Sequence, residues 1–375
     1  MDRSTALRSP QPADEASFQA LLDAFRAPLD RELDAFLAGK RAAAAGAPEA
    51  LELVDGVARL VTQGGKRLRP ALVLAAYRAC GGRREEAVLP LALSTELLHT
   101  YLLIHDDIMD HAEVRRGEPA AHVRFADAHA AHGFRGDAGD FGRSAAILVG
   151  DLAHTWAVEL FSIASEAVAE PERRRALRGA FSAMAEEVIA GQYLEIQVGL
   201  RPLAEGATED ELLRVLRLKS GRYTAERPLQ LGALLAGAPP ALLEPLSRYG
   251  AAVGEAFQLQ DDLLGTFGDA ATVGKPVGAD LREGKHTFLV HHALRAASPT
   301  QRRVLEEALG DDDLTADRLA AVRRVLEETG ARARVEAMVE ERLGVAAAAL
   351  DGLPLAPEGR AFLAGLLDWL WERER

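Results

Sequence analysis

The chain has one cysteine, Cys80, so no disulfide bond can form within it. Because disulfides are rare where thiols are kept reduced, we expect a cytoplasmic protein. Cys80 follows the apolar segment ALVLAAYRA, which favours a small core residue over a nucleophile. The first residues lack the apolar core of a signal peptide, and no apolar run approaches the roughly 20 residues that cross a bilayer, so no membrane span is expected.

Aromatic residues and positive charge are also scarce. Aromatic side chains make up 5% of the sequence, whereas apolar residues, with alanine and leucine dominant, reach 48%. This balance favours helices over sheets. The formal net charge of −13 argues against a nucleic-acid partner, which needs a basic surface, and against adsorption to an anionic membrane. An acidic protein that binds an anionic ligand must supply metal ions and a local basic cluster.

Helical periodicity runs along most of the chain, without strand-like alternation or a repeat of fixed period. We predict one all-α domain over residues 18–375, preceded by a disordered lead-in over residues 1–17. No other segment is long and polar enough to divide the chain.

Three interruptions are predicted in this helical pattern. Residues 133–143 are rich in glycine and are predicted to form a loop before a long helix that begins at Ser144. A second break is predicted between a helix that ends at Leu218 and one that begins at Thr224. Residues 265–284, which are again rich in glycine, are predicted to form the third.

The segment HTYLLIHDDIMDHAEVRR, residues 99–116, ends a mostly apolar helix in a group of charged residues. Asp106 and Asp110 are four positions apart, so on a helix their carboxylates lie on one face, about 6 Å apart. Two like charges this close repel each other, and Mg²⁺ prefers such hard oxygen ligands together with phosphate oxygens. Arg115 and Arg116 follow, and guanidinium groups suit a diphosphate. The segment therefore predicts a helix end that holds a metal–diphosphate complex.

A second pair, Asp261 and Asp262, ends another apolar helix in the segment FQLQDDLL. Acidic residues at a helix C-terminus oppose the helix dipole, and one such pair alone would be interpreted as a solvated helix end. Because this unfavourable placement occurs twice, each time with basic residues downstream, we expect two helices whose carboxylates face one cavity. Here the downstream bases are Lys275, Arg282 and Lys285, on a glycine-rich segment that can bring backbone N–H groups close to phosphate.

Five segments in this order resemble the trans-isoprenyl diphosphate synthases, a family that includes the farnesyl and geranylgeranyl diphosphate synthases. DDIMD with the following RRG resembles the family's first aspartate-rich motif, and FQLQDDLLG resembles the second. GGKRLRP resembles the loop for the homoallylic diphosphate, LKSGRY a lysine-containing segment, and GKPVGADLREGK the phosphate-binding loop after the second motif. The resemblance implies the isoprenoid synthase fold, with antiparallel helices around a deep central cavity, and usually a homodimer.

The resemblance also implies a role for each matching residue. Three carboxylates would hold Mg²⁺, about three ions per active site: Asp106, Asp110 and Asp261. Four cations would hold the allylic diphosphate substrate: Arg115, Lys219, Lys275 and Lys285. Four residues would hold the second substrate, isopentenyl diphosphate: Lys66, Arg69, His99 and Arg116. Supporting positions would be Asp107, Asp262, Gln258 and Ser220, the last with a hydroxyl near the reacting carbons.

Some of these residues have plainer interpretations when they are considered alone. His99 could be an ordinary hydrogen-bonded histidine on a helix. Lys66 and Arg69 could be a solvated pair of charges on a loop. The glycines Gly64 and Gly65 before this pair favour close approach of the backbone to an anion.

Two positions depart from the family pattern. Gly265 stands where the second motif commonly has a third aspartate, so Asp261 would do most of the metal binding there. Glu195 stands where the family segment GQxxD has aspartate, and this moves the carboxylate out by one methylene group. Because some short-chain synthases share the DDxxG form, activity is still expected.

Product length is expected to depend on the residues that block the cavity. Tyr101 lies five positions before Asp106, about 7.5 Å along a helix axis, and in the family an aromatic residue at this place stops the growing chain. The neighbouring Leu102 is aliphatic, where eukaryotic farnesyl synthases tend to carry a second aromatic residue. This pattern is closest to synthases with a C20 product, with C15 next. An apolar wall is expected from the run Leu97, Leu98, Leu102, Leu103 and Ile104.

Three other functions stay open. A longer-chain polyprenyl diphosphate synthase would carry the same segments. A terpene cyclase is also all-α with an aspartate-rich helix, but it would not need GGKRLRP and His99 for a second diphosphate. A catalytically silent subunit of a heteromeric synthase would usually lose an aspartate motif, whereas here only the last aspartate of the second motif is missing.

Overall fold

The computed structural model describes residues 13–201, 206–268 and 277–372, with the backbone alone for residues 13–17. The prediction of an all-α fold is confirmed, and the first helix begins at Ala13. The helices up to the middle of the chain are α1 (Ala13–Ala44), α2 (Pro48–Thr62), α3 (Leu68–Ala79), α4 (Glu85–Met109), α5 (Ala121–His132), α6 (Ala138–Glu166), α7 (Pro171–Gly199) and α8 (Glu209–Val215). The later helices are α9 (Arg227–Ala236), α10 (Pro240–Phe267), α11 (Ala279–Arg282), α12 (Phe288–Ala296), α13 (Pro299–Ala308), α14 (Ala316–Glu328), α15 (Ala331–Leu350) and α16 (Pro357–Glu372).

Helix α4 lies at the centre of the fold because its first half is mostly apolar and enclosed on every side. Residues 87–98 are all buried, and a helix that is apolar all round must be enclosed by other helices. Helices α3 and α6 pack against it. Beyond this buried half, Tyr101, Leu102 and Asp106 face a cavity. The core helix therefore carries the first aspartate-rich motif to the edge of an open space.

The predicted break between Leu218 and Thr224 is wrong, because this segment is helical. Residues Leu216–Glu226 form a π-helix that joins α8 to α9 without a loop. This π-helix packs against α10 where Gly221 and Gly254 meet, and a Cβ atom on Gly254 would lie 2.0 Å from the carbonyl oxygen of Gly221. The glycine in LKSGRY thus permits close packing of two helices and does not end one.

The predicted loop over residues 133–143 is only partly correct. Helix α6 begins at Ala138, inside that range, because Asp137 caps it by accepting a hydrogen bond from the backbone N–H of Asp140 at 2.7 Å. A capping aspartate outweighs the glycines that follow it.

A short hairpin, which the helical pattern does not predict, follows α4. Strands β1 (Val114–Arg115) and β2 (Glu118–Pro119) pair antiparallel around Arg116 and Gly117. Both turn residues have positive φ, 53° and 79°, as the two-residue turns of tight hairpins require. The hairpin folds Arg115 back toward the end of α4.

Helices α4 and α6 are long and apolar enough to cross a membrane by length and composition alone, although charged residues such as Glu96 and Asp151 interrupt their apolar runs. In α4, 72% of the apolar window is buried inside the protein, compared with 44% in α6. Packing among other helices accounts for the apolar character of α4. Helix α6 keeps an exposed apolar face.

Candidate active site

Helices α4, α7 and α10 and the π-helix border a cavity of about 570 Å³, a size typical of sites for small ligands. Asp106 on α4 and Asp261 on α10 both line it. Two aspartate-bearing helix ends therefore face the same space. The predicted site residues that line this cavity are Arg69, His99, Tyr101, Leu102, Asp106, Arg115, Lys219, Ser220, Gln258, Asp261, Asp262 and Lys285.

The first motif is organised by Arg115. Its Nε atom donates to Oδ1 of the buried Asp107 at 2.7 Å, and its guanidinium lies 3.9 Å from Oδ2 of Asp106. Burial raises the pKa of Asp107, although the hydrogen bond from Arg115 opposes this. Lys219 of the π-helix approaches Oδ1 of Asp106 at 3.6 Å and also pairs with Glu195 of α7. Asp107 thus fixes the orientation of the Arg115 guanidinium. Asp106 lies between the guanidinium of Arg115 and the ammonium group of Lys219.

Asp110, one helical turn further, is paired with a lysine from another part of the chain. Lys285 donates to Oδ2 of Asp110 at 2.8 Å and lies 2.5 Å from Glu283. Burial alone would lower the pKa of Lys285, but the surrounding carboxylates, above all Glu195 and Asp110, raise it well above its ordinary value. Lys285 is therefore a fixed positive charge at this end of the cavity.

The second motif is more crowded with negative charge. Gln258 donates to Oδ1 of Asp262 at 2.8 Å, one turn along α10. Burial, and then the charge of Asp280, raise the pKa of Asp262 well above its ordinary value. Asp280 and Glu195 also line the cavity. Lys275, predicted to hold the allylic diphosphate, lies outside the described residues.

The oxygen atoms at this end suit Mg²⁺ bound together with a diphosphate. Carboxylates at Asp106 and Asp261 line one cavity, Asp110 borders it through Lys285, and Mg²⁺ combines one or two carboxylates with phosphate oxygens. Among the described residues, no three His, Cys, Asp or Glu side chains lie together as a ready metal site. The donor set therefore fits an ion whose remaining ligands come from a phosphate-bearing substrate.

The other end of the cavity is basic and aromatic. Arg69 donates to the hydroxyl of Thr224 at 3.0 Å, and its guanidinium lies 4.3 Å from the ring centroid of Tyr223. The Tyr223 hydroxyl and Nδ1 of His99 share a hydrogen bond of 2.9 Å. Tyr223 and Thr224 were missed by the sequence analysis, although they lie four residues beyond Lys219 and Ser220 and so share a helix face with them.

Two residues predicted to bind isopentenyl diphosphate are not among those that line the cavity. Arg116 donates to the carbonyl oxygens of Leu60 at 3.2 Å and Gly64 at 2.9 Å, which holds the loop before α3. The ammonium group of Lys66 lies 4.6 Å from the ring centroid of Trp369 in the last helix. Lys66 thus belongs to the loop before α3, and Arg116 holds the same loop from the hairpin turn.

The buried state of His99 gives a pH-dependent stability. Burial and the charges of Arg69 and Arg116 lower its pKa well below 6.5, whereas in the unfolded chain the pKa is about 6.5. Below about pH 6.5 the unfolded chain therefore binds a proton that the folded protein does not, and the free energy of unfolding falls by up to about 1.4 kcal/mol per pH unit.

Thermal unfolding at about pH 7.5 and pH 5.5 checks this expectation. The melting temperature of the His99→Gln variant should fall less between these two values than that of the wild type. An equal or larger fall in the variant would show that His99 is not the group responsible.

The apolar part of the cavity differs from the predicted wall. Leu97, Leu98 and Ile104 are fully buried in the core, because they lie on the sides of α4 that face other helices. Leu102 and Leu103 on α4 line the cavity as predicted, and further apolar lining comes from Val188, Ile189, Ile196, Leu212, Val215 and Leu216. The ring of Tyr101 lies 4.7 Å from that of His105 and 5.1 Å from that of His154. These three rings form a cluster between α4 and α6.

The chain is similar to proteins of known function along most of its length. The family model for polyprenyl synthetase matches residues 52–326. The chain is 34% identical to a short chain isoprenyl diphosphate synthase of Methanothermobacter thermautotrophicus, over 84% of this chain and 88% of that protein. It is also 34% identical to a geranylgeranyl diphosphate synthase of Methanosarcina mazei, over 86% of this chain and 90% of that protein. A crystal structure of geranylgeranyl pyrophosphate synthase from Corynebacterium glutamicum, complexed with isoprenyl diphosphate and magnesium, aligns with a TM-score of 0.82 and 35% identity over 96% of this chain and 98% of that one.

Proposed function

Because the chain belongs to the polyprenyl synthetase family, we propose that it condenses isopentenyl diphosphate with an allylic diphosphate to make a short-chain all-trans prenyl diphosphate. The observation that carries this proposal is a single cavity lined both by an aspartate-rich group, at Asp106 and Asp261, and by a second polar group, at Arg69 and His99. A site for two diphosphates favours a synthase over a terpene cyclase, which handles one.

The cavity residues have distinct tasks in this reaction. Diphosphate leaves an allylic carbon only if its developing negative charge is neutralised, and bound Mg²⁺, about three ions in our proposal, would supply Lewis acidity there. Lys219, Lys285 and Arg115 are fixed positive charges beside the same carboxylates and can hold the departing oxygens. The double bond of isopentenyl diphosphate then attacks the allylic cation, and the departing diphosphate takes the proton that is lost. The apolar lining excludes water from the cation.

We propose a C20 product, with C15 next. Tyr101 lines the cavity and its ring packs against His105 and His154, so a lengthening chain would meet a rigid aromatic cluster on α4. The relatives include a geranylgeranyl synthase. A longer-chain product would require an opening past this cluster.

Incubation of the purified protein with Mg²⁺ and labelled isopentenyl diphosphate tests the proposed function. Dimethylallyl, geranyl and farnesyl diphosphate are supplied in turn as primers, and the products are separated by chain length after dephosphorylation. The expected result is elongation of at least one primer to C20. No elongation of any primer would favour the catalytically silent subunit of a heteromeric synthase.

We further propose a homodimer that forms through the exposed face of α6. Apolar side chains on this face are 44% exposed at Ile147, 55% at Leu148, 42% at Val158 and 47% at Ile163. An apolar stripe of this kind along one helix favours a protein partner over water. A second copy of the chain would offer the same stripe, as a two-fold symmetric interface requires.

The substitution Val158→Glu should shift the protein from dimer to monomer, because a charge in the middle of an apolar interface loses its water without gaining a partner. Sedimentation velocity measures the change directly. Val345→Glu is the matched control, since Val345 is equally exposed, at 44%, on α15. A Val158→Glu protein that sediments like the wild type would exclude this face as the interface.

A further inference from the structure

Arg67, in the segment before α3, has an unusual environment for an arginine. Its side chain is buried, and its Nη1 atom donates to Oε1 of the buried Glu96 on α4 at 2.6 Å. Its Nε atom lies 3.3 Å from Oδ1 of Asp30 on α1. A charge removed from water in this way needs a carboxylate at close range, and the loss of one partner leaves the other charge uncompensated. The Arg67–Glu96 pair therefore ties the segment before α3 to the central helix.

The backbone of Arg67 is also constrained. Its φ and ψ angles of 52° and 33° lie in the left-handed region, which residues with a side chain adopt rarely and only where their surroundings hold them there. Its carbonyl oxygen accepts a hydrogen bond from the N–H of Ala71 at 3.0 Å and so begins α3. The conformation of Arg67 thus sets the direction in which α3, and with it Arg69, leaves the loop.

Glu96 has a comparable place on α4, about one helical turn before His99. Arg69 and His99 line the cavity and both contact Tyr223. Among the described residues that line the cavity, neither Arg67 nor Glu96 occurs. The pair is therefore close in sequence to two cavity residues without reaching the cavity itself.

We propose that Arg67 and Glu96 are positioning residues for isopentenyl diphosphate, and that their ion pair holds Arg69 and His99 in the arrangement that binds its diphosphate group. This inference rests on the proposed function. The two cavity residues come from different elements, the start of α3 and the middle of α4, and the buried pair is a direct link between these elements. A ligand that is held by groups on two elements binds tightly only where their relative position is fixed before it arrives.

Steady-state kinetics of Arg67→Met and Glu96→Met test this assignment, because a positioning role affects the two substrates differently. The KM for isopentenyl diphosphate should rise on the order of tenfold in both variants, as expected when groups that hold a ligand are displaced. The KM for the allylic diphosphate should stay at the wild-type value, and so should the rate at saturating substrates. Arg67→Lys should recover part of the loss, since lysine keeps the charge but not the forked donors.

The double variant Arg67→Met with Glu96→Met separates positioning from stability. It leaves no unpaired buried charge at this place, so its melting temperature should exceed that of either single variant. Its KM for isopentenyl diphosphate should nevertheless remain raised, because the link between α3 and α4 is still missing. Arg78→Met is the matched control, since Arg78 pairs with Glu85 at 2.9 Å near the other end of α3, and both of its KM values should match those of the wild type.

A wild-type KM for isopentenyl diphosphate in the double variant would overturn the proposal, and so would an equal rise in the KM values of both substrates. If a single variant fails to fold, the double variant decides the question. Calorimetric titration of isopentenyl diphosphate gives the same comparison without turnover, and an unchanged affinity in the double variant would again overturn the proposal. A wild type that binds isopentenyl diphosphate but elongates no primer would contradict the proposed function and leave the role of the pair to these titrations.

Discussion

Replacement of Asp106 by asparagine should lower the rate of prenyl transfer by a factor on the order of 10²–10³, the usual cost of removing one electrostatic contribution to a transition state. The Asp106 carboxylate lies 3.6 Å from Lys219 and 3.9 Å from Arg115. It therefore lies between cations from two elements, and in the proposed function it would also offer an oxygen to Mg²⁺. Asparagine keeps the size of the side chain and removes its charge, so the effect should be chemical rather than one of packing.

Initial rates at saturating substrates, together with the melting temperature, measure this effect. Asp127→Asn is a suitable control because Asp127 is exposed on α5, outside the cavity lining, and its rate should match that of the wild type. An Asp106→Asn enzyme with the wild-type rate would exclude Asp106 as a metal ligand.

Replacement of Tyr101 by alanine should lengthen the product by one or more five-carbon units. The Tyr101 ring contacts the rings of His105 and His154, at 4.7 Å and 5.1 Å between centroids. Tyr101 lines the cavity about one and a half turns before Asp106 on α4. Truncation to alanine removes the whole ring and leaves space that a growing prenyl chain can enter. The affinity for diphosphate should stay the same, because no charged group changes.

Chromatography of the dephosphorylated products shows whether the Tyr101→Ala product is longer than that of the wild type or unchanged. Tyr101→Phe is the matched control, since it keeps the ring and loses only the hydroxyl group, and its product should have the wild-type length. An unchanged product in Tyr101→Ala would show that another residue limits the chain.

Local patterns in the sequence were enough to predict the aspartate-bearing helix ends and the all-α fold. The pattern around Asp106 and Asp261 lies within one or two helical turns, so a short stretch of sequence is enough to recognise it. The apolar composition of α4 can likewise be recognised from its own residues, without knowledge of the helices that pack against it. Lys219 and Ser220, which also line the cavity, were assigned through the family resemblance, whereas the helical spacing wrongly predicted a break at this place.

Features that depend on packing between distant segments could not be predicted in this way. Gly221 looks like a helix breaker in the sequence, but it faces Gly254 of α10 in a close helix–helix contact. The ion pair between Arg67 and Glu96 joins segments that are 29 positions apart, which no sequence spacing encodes. Leu97 and Leu98 were assigned to the cavity wall because their apolar character cannot tell a core position from a lining position.

The most direct test of the account is whether Asp106 and Asp261 bind one metal–diphosphate complex together. Calorimetric titration of pyrophosphate into the wild type, with Mg²⁺ and then with a chelator, should give binding only when the ion is present. Asp106→Asn and Asp261→Asn should each weaken that binding, and the double variant should lose less than the sum of the two single losses, because both residues act on one ligand. Pyrophosphate binding that survives the chelator, or that is unaffected by either substitution, would contradict the account.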